Sequence, residues 1–296
     1  MDELKIGFDT EGTFAVDLKM LNLLLGLQSH ASKHPCPWCE GSAPWTTRAR
    51  LRTLGNIQEN QQRYVKSGKG RDKLMQFKNC EHPSLIVGSL DKPILMIFPP
   101  PQLHLYMGAT NHIKKGIHAA LENLDKNCRT RSKTRFAEAF KEWCAHNGLH
   151  AVDYWNKDLQ GPKCRKLLEK SEELAKWLPT PVKMFAICLQ RLYEVKEACF
   201  GMKLYAGYDK KIIEFEKQFD KLGISKINKI HAIITHVPEF IKMVGNKPLG
   251  IFSEQAMESV HHDFEETWKD YKREEIAMTF HEQLHKCVVK YNSMHL

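Results

Sequence analysis

Long apolar runs are missing from this 296-residue chain. None reaches the roughly 18 residues that span a bilayer. The most apolar stretch, 84–101, is interrupted by Asp91, Lys92 and Pro93. No transmembrane helix and no membrane partner are therefore expected. The opening Met-Asp-Glu-Leu-Lys lacks the basic-then-apolar layout of a secretory signal. There is no internal repeat and no low-complexity tract, which excludes solenoid and tail-like architectures. A paired cysteine framework is absent too. The nine cysteines are odd in number and mostly scattered singly, as reduced thiols of the cytosol or nucleus would be. Finally, the chain has no acidic excess. Its 44 Lys and Arg against 35 Asp and Glu give a net charge of +9, which favours an anionic partner, nucleic acid first. What is present, 42% hydrophobic and 27% charged residues, is the composition of a folded globular protein.

Along the chain, residues 12–16 read as a short strand running into Asp17, and 18–28 as a Leu-rich buried helix. Residues 33–46 are turn-rich, and 47–82 are polar and basic with weak periodicity. Residues 84–98 fit a strand pair or an extended arm. After Pro99-Pro100-Pro101 the pattern turns helical. Leu103, Tyr106, Met107, Ile113, Ile117, Leu121 and Leu124 recur at helical spacing. Further helices are expected over 133–146 and 161–178. Another is expected from Thr180-Pro181, carrying Phe185, Leu189 and Leu192. The next is capped by Asp209, carries Ile212, Ile213, Phe215, Phe219 and Leu222, and stops at Gly223. A short helix over 226–236 should end at Val237-Pro238, and the last helices lie at 253–272 and 275–292. The expected division is 1–98, 99–225 and 226–296.

Cys36-Pro-Trp-Cys39 is a C-x2-C pair in a tight turn, a spacing that lets two thiolates reach one tetrahedral zinc. A redox pair has the same letters but should follow a strand and open a helix, and this one follows a helix. Two unrelated buried cysteines remain an alternative. His231 and His236 form H-x4-H, within the spacing zinc sites use. Five residues along an α-helix turn the chain by about 140°, so the two rings share an ion only if the helix ends near His236, as Pro238 suggests. The four residues together would make a closed structural site. Cys80 and His82 are a competing pair.

Asp17 reads either as a helix N-cap or as a metal ligand, and Glu258 either as a solvated helix face or as a ligand. A zinc clip would draw the two carboxylates together, as in sites that hold Mg2+ for phosphoryl transfer. Two basic clusters, Arg48/Arg50/Arg52 beside Trp45 and Arg129/Arg131/Lys133/Arg135, are candidates for tracking phosphates or for a solvated surface.

The order Asp17, C-x2-C, Leu103-His104-x3-Gly108, H-x4-H within 230–241, then Ser253-Glu-x3-Glu258 resembles the catalytic core of Transib-type transposases and of the V(D)J recombinase catalytic subunit. The likeness runs from about residue 12 to 290. It implies a mostly α protein with a small mixed α/β part: a partial RNase H-like core with a large helical insertion. It implies a structural zinc on Cys36, Cys39, His231 and His236. It also implies a DDE triad that binds Mg2+ or Mn2+ and cuts and transfers DNA strands, with Asp17 matching its second acid and Glu258 its third. Only sixteen residues precede Asp17, so the first acid has no match and the expectation is a C-terminal part of that core, truncated at its N-terminus and inactive alone. Nuclear location, DNA, and a homodimer or an accessory recombinase subunit are the implied setting. A host-adopted, non-catalytic zinc and nucleic-acid-binding module, or a protein-interaction scaffold, is the alternative.

Overall fold

The structure, a computed structural model, describes residues 13–28, 32–45, 49–127, 135–150 and 158–253, with seven helical residues beyond. The chain falls into two compact units, Met1–Phe252 and Ser253–Leu296. The described residues of the second are Ser253, Thr267, Lys269, Lys286, Cys287, Val289, Lys290 and Ser293.

The first unit is helical almost throughout. Helix α1 (Leu18–Leu24) begins at Asp17, whose Oδ1 accepts from the amides of Lys19 at 2.6 Å and Met20 at 2.8 Å. This is the N-cap reading of Asp17, satisfying amides that the helix leaves orphaned. The strand expected over 12–16 does not form over the described residues: 13–17 have no regular structure, and the Phe14 amide donates to the Ile97 carbonyl at 2.8 Å. The run that would have to pair with it ends in three prolines, which have no amide to donate. Among the described residues there is no strand. Three isolated antiparallel bridges, Leu27–Cys80, Cys39–Leu51 and Thr53–Pro93, take its place.

The polar stretch 47–82 hides α2 (Leu54–Lys66), capped by Thr53, and the single turn α3 (Arg71–Leu74). Only Leu54, Asn56, Ile57 and Tyr64 of α2 are buried, which explains the weak apolar period. Residues 84–98 are neither strand pair nor arm but turns leading to α4 (Ile94–Ile97).

Past the prolines, α5 (Gln102–Asn127) is the spine. Leu105, Ala109, Ile113, Ile117 and Leu121 on one face are fully buried. Then come α6 (Phe136–His146), α7 (Gly161–Glu169), α8 (Ser171–Trp177), α9 (Lys183–Val195) and α10 (Tyr208–Asp220). The single helix expected over 161–178 breaks at Lys170. A 3-10 turn, Thr180–Val182, feeds α9. The cap of α10 is Gly207, at φ +80°, and not Asp209. Helix α9 packs on α5, α7, α8 and α10. It approaches α5 closely at Gly116, where a Cβ would meet the Phe185 ring at 2.6 Å. Phe185, Leu189, Leu192, Ile212, Phe215 and Phe219 are all buried as expected. Ile213 is half exposed, because a 3.6-residue period places it off the face shared by 212, 215 and 219. Helix α5 also packs on the next helix, α11 (Asn228–His231), within the same compact unit.

Candidate metal centre

Two elements build the site. The first is the turn 34–41, shaped by Arg52. That side chain is fully buried, and its Nε donates to the carbonyls of Cys36 and Cys39, both at 3.0 Å. One terminal nitrogen reaches the Lys78 carbonyl at 2.8 Å and the other approaches Cys80 Sγ at 3.6 Å. The guanidinium thus acts as a template around which residues 36–39 bend. Arg52 was expected on a phosphate-tracking stripe. It cannot serve there, because its donors are spent on carbonyls inside the protein. Cys80 and His82 do not join the cluster: Cys80 sits behind Arg52, its thiol pushed up mainly by burial.

The second element carries the histidines. Helix α11 does not end at His236. The backbone widens into a π segment, Ala232–His236, and continues as α12 (Val237–Met243) with Pro238 in its first turn. In a π turn the hydrogen bond spans five residues, so positions five apart come back to nearly the same side of the axis. The expected helix end is therefore corrected. A widened turn, not a stop, aligns His231 with His236, and Pro238 is tolerated where the new turn begins.

Cys36 Sγ lies 3.2 Å from His236 Nε2, and Cys39 Sγ lies 3.3 Å from His231 Nε2. All four ligand atoms fall within 4.8 Å of one another, and all four residues are buried. Tetrahedral zinc, with bonds of about 2.3 Å to sulfur and about 2.0–2.1 Å to nitrogen, sets sulfur–nitrogen separations near ~3.6 Å. The donor set fits zinc in count, type and spacing. Two thiolates and two neutral imidazoles also balance the charge of a divalent ion, which removes the main cost of burying it. The four groups divide in protonation: Cys39 and His231 shift toward the metal-binding forms, whereas Cys36 and His236 shift toward the protonated ones. Cys39 is held far below the usual thiol range, first by the hydrogen bond from Cys36 and then by those from both histidines, against burial. Cys36 is raised, chiefly by burial. Burial also lowers His231, favouring the neutral ring a metal needs.

Outer partners hold the ligands in place. His236 Nδ1 donates to Glu239 Oε2 at 2.9 Å, the carboxylate–histidine pairing that orients a metal-bound ring. Trp45 stacks flat on His231, centroids 3.9 Å apart and planes 9° apart, while its Nε1 donates to the Lys226 carbonyl at 2.9 Å. Asn228 Nδ2 donates to the Pro35 carbonyl at 3.0 Å, and Trp38 Nε1 to that of Phe98 at 2.8 Å. Glu239 and Arg52 were missed as parts of the site. The i,i+3 spacing of His236 and Glu239 on a helix was the available signal for the first. Nothing local marks the second.

Of the remaining candidates, Asp17 caps α1 and is partly exposed. Glu258 lies outside the described residues, as do Arg48, Arg129, Arg131 and Lys133. Arg50 and Arg135 are exposed. Arg50 lines a cleft with Ala49, Leu51, Glu239, Lys242 and Met243. Among the described residues no helix is long and apolar enough to cross a membrane. No protein-family model and no curated protein matches the chain.

Proposed function

We propose that this chain is the zinc-stapled C-terminal part of a Transib-like DDE recombinase core, and that it holds DNA in the nucleus rather than cutting it unaided. The observation that carries this reading is the convergence of Cys36, Cys39, His231 and His236, from segments 192 residues apart, on one buried set of four donor atoms within 4.8 Å of one another. That convergence is what the resemblance requires of these four positions. Zinc would be structural: the site is closed, with no position open for water or substrate, so the ion would contribute folding energy and no chemistry.

Catalysis on this reading belongs to Mg2+ or Mn2+ held by Asp17, Glu258 and a first acid that the sequence does not match. When bound, that pair of ions would activate the attacking oxygen and steady the leaving one. With two acids of three, the chain alone is expected not to cleave. A second reading, a host-adopted zinc and nucleic-acid-binding module without catalysis, is favoured by one detail: Asp17 Oδ1 is already engaged by two helix amides.

The test combines metal analysis with a cleavage assay on supercoiled plasmid. One zinc per chain, duplex binding, and no nicking in Mg2+ or Mn2+ are expected. Nicking that disappears in Glu258→Gln would show the triad complete and overturn the non-cutting assignment. Absence of zinc would sink the recombinase reading, and absence of duplex binding would leave the interaction scaffold in its place.

A further inference from the structure

Neither basic cluster singled out by the sequence survives as a described phosphate-binding stripe, since Arg52 is internal and most of the second cluster lies outside the described residues. Among the described residues a longer basic run lies elsewhere. Between Gln61 and Lys78 the chain has six cations, Arg63, Lys66, Lys69, Arg71, Lys73 and Lys78, against one acid, Asp72. The excess there is more than half of the whole chain's +9.

This segment is a built tip. Helix α2 ends in a turn where the Gly68 amide donates to the Val65 carbonyl at 3.0 Å and the Lys69 amide to that of Tyr64 at 3.3 Å, the pattern that closes a helix C-terminus. The buried Tyr64 anchors it: its hydroxyl accepts from the Gly70 amide at 3.3 Å, and the Ser67 hydroxyl donates to the Tyr64 carbonyl at 2.7 Å. Lys73 Nζ donates to the Ser67 carbonyl at 2.7 Å, and Arg63 lies over the Phe77 ring, 5.8 Å from its centroid. Gly68, Lys69 and Gly70 follow one another at φ +83°, +56° and +124°, and a Cβ on either glycine would meet nothing within 4 Å. The tip therefore projects into open space.

Lys69 is the informative residue. A lysine in the left-handed region carries a steric cost that glycine would avoid. Glycine is used on both sides of it, so the fold has no need of a side chain at 69. Lys66 and Lys69 are both exposed. The exposed face of α2 leading to them, Gln58, Glu59, Gln62, Arg63 and Lys66, is amide and charge with Val65 as its apolar exception. A lipid surface would call for an apolar face to insert, whereas a phosphodiester backbone calls for cations and amides.

We infer that the Gln61–Lys78 tip is a contact surface for the phosphate backbone of a nucleic acid duplex, with Lys66 and Lys69 its reaching cations. The assignment rests on the DNA-binding part of the function proposed above, and adds where the duplex is held. Phosphate contacts carry no sequence information, so this surface would position the duplex without selecting a site.

The test is a salt series of duplex DNA binding by the full chain, for the wild type, for Lys66→Gln/Lys69→Gly, and for a charge-matched control, Lys203→Gln/Lys210→Gln. Lys69→Gly keeps the turn, so loss of fold does not confound the result. The Lys66/Lys69 variant should bind unrelated duplexes uniformly more weakly, with a log–log salt slope shallower by about two. The control should keep the wild-type slope. A wild type that binds no duplex overturns both this surface and the DNA-binding reading. A wild type that binds with a steep slope unchanged in the Lys66/Lys69 variant, or equally reduced in the control, overturns the surface alone. Loss of binding to phosphatidylserine vesicles with duplex binding intact would also overturn it.

Discussion

The front of the first unit and its helical middle hold together by different means. Between α5 and α10, long helices bury apolar stripes against one another, and α9 sits among four neighbours. Before α5 there are short helices, three lone bridges, and a set of single polar ties. Those ties are Arg52 on the Cys36 and Cys39 carbonyls, Trp38 on Phe98, Asn228 on Pro35, and the Cys2His2 cluster. Cysteine makes the contrast within one residue type. In the middle, burial pushes Cys144 up to about 11 and Cys164 and Cys199 up to about 12, the behaviour of small packing residues. At the front, Cys39 goes the other way because Cys36 and the two histidines donate to it. Burial alone raises a thiol; hydrogen bonds from neighbouring groups are what bring Cys39 down.

This comparison predicts where each region fails. Removing a zinc ligand should have the largest effect. Cys36→Ser or His236→Ala is expected to abolish the bound zinc and to cost several kcal/mol, because metal binding is coupled to folding. The loss should be regional: hydrogen exchange should rise over 32–45 while α5, α9 and α10 stay protected. Equal deprotection of both regions would break the distinction. Phe215→Ala, in the fully buried stripe of α10, is expected to cost about 3–5 kcal/mol in denaturant melts. Its zinc content should remain that of the wild type; a loss of zinc would make the two regions one cooperative unit. Smallest is Glu239→Ala. Losing the acceptor of His236 Nδ1 should weaken zinc about 10–100-fold, measured by competition with a chelator, with the helical signal unchanged. An unaltered affinity would reduce Glu239 to a bystander.

Legibility in the sequence divides along the same line. Helices α5, α9 and α10 were readable because each buries a face at intervals of three and four. Helix α2 was not, since its few buried positions are mixed with amides. The four residues of the Cys2His2 cluster were readable as two motifs with metal spacing. The geometry that joins them was not: the expected helix stop at His236 is a π segment, and a π segment depends on what pulls the two rings together. Arg52 shows the reverse error. Its place in an alternating basic run suggested a surface, yet it is internal, because a residue's neighbours along the chain do not reveal which carbonyls will surround it. The expected acid pairing keeps only its Asp17 half in view, and there the local rule, a carboxylate capping a helix, is the one observed.

By itself the sequence determined the residue types able to bind zinc, the apolar faces that make the helical middle, and the positive charge at the tip after α2. Those are properties of composition and short-range period. Only the tertiary structure decided that the turn at 36–39 and the histidines at 231 and 236 meet, that Glu239 and Trp45 brace them, and that Arg52 lies beneath. Such contacts join positions up to 200 residues apart, and their stability comes from excluding water around a few polar groups, which no local pattern records.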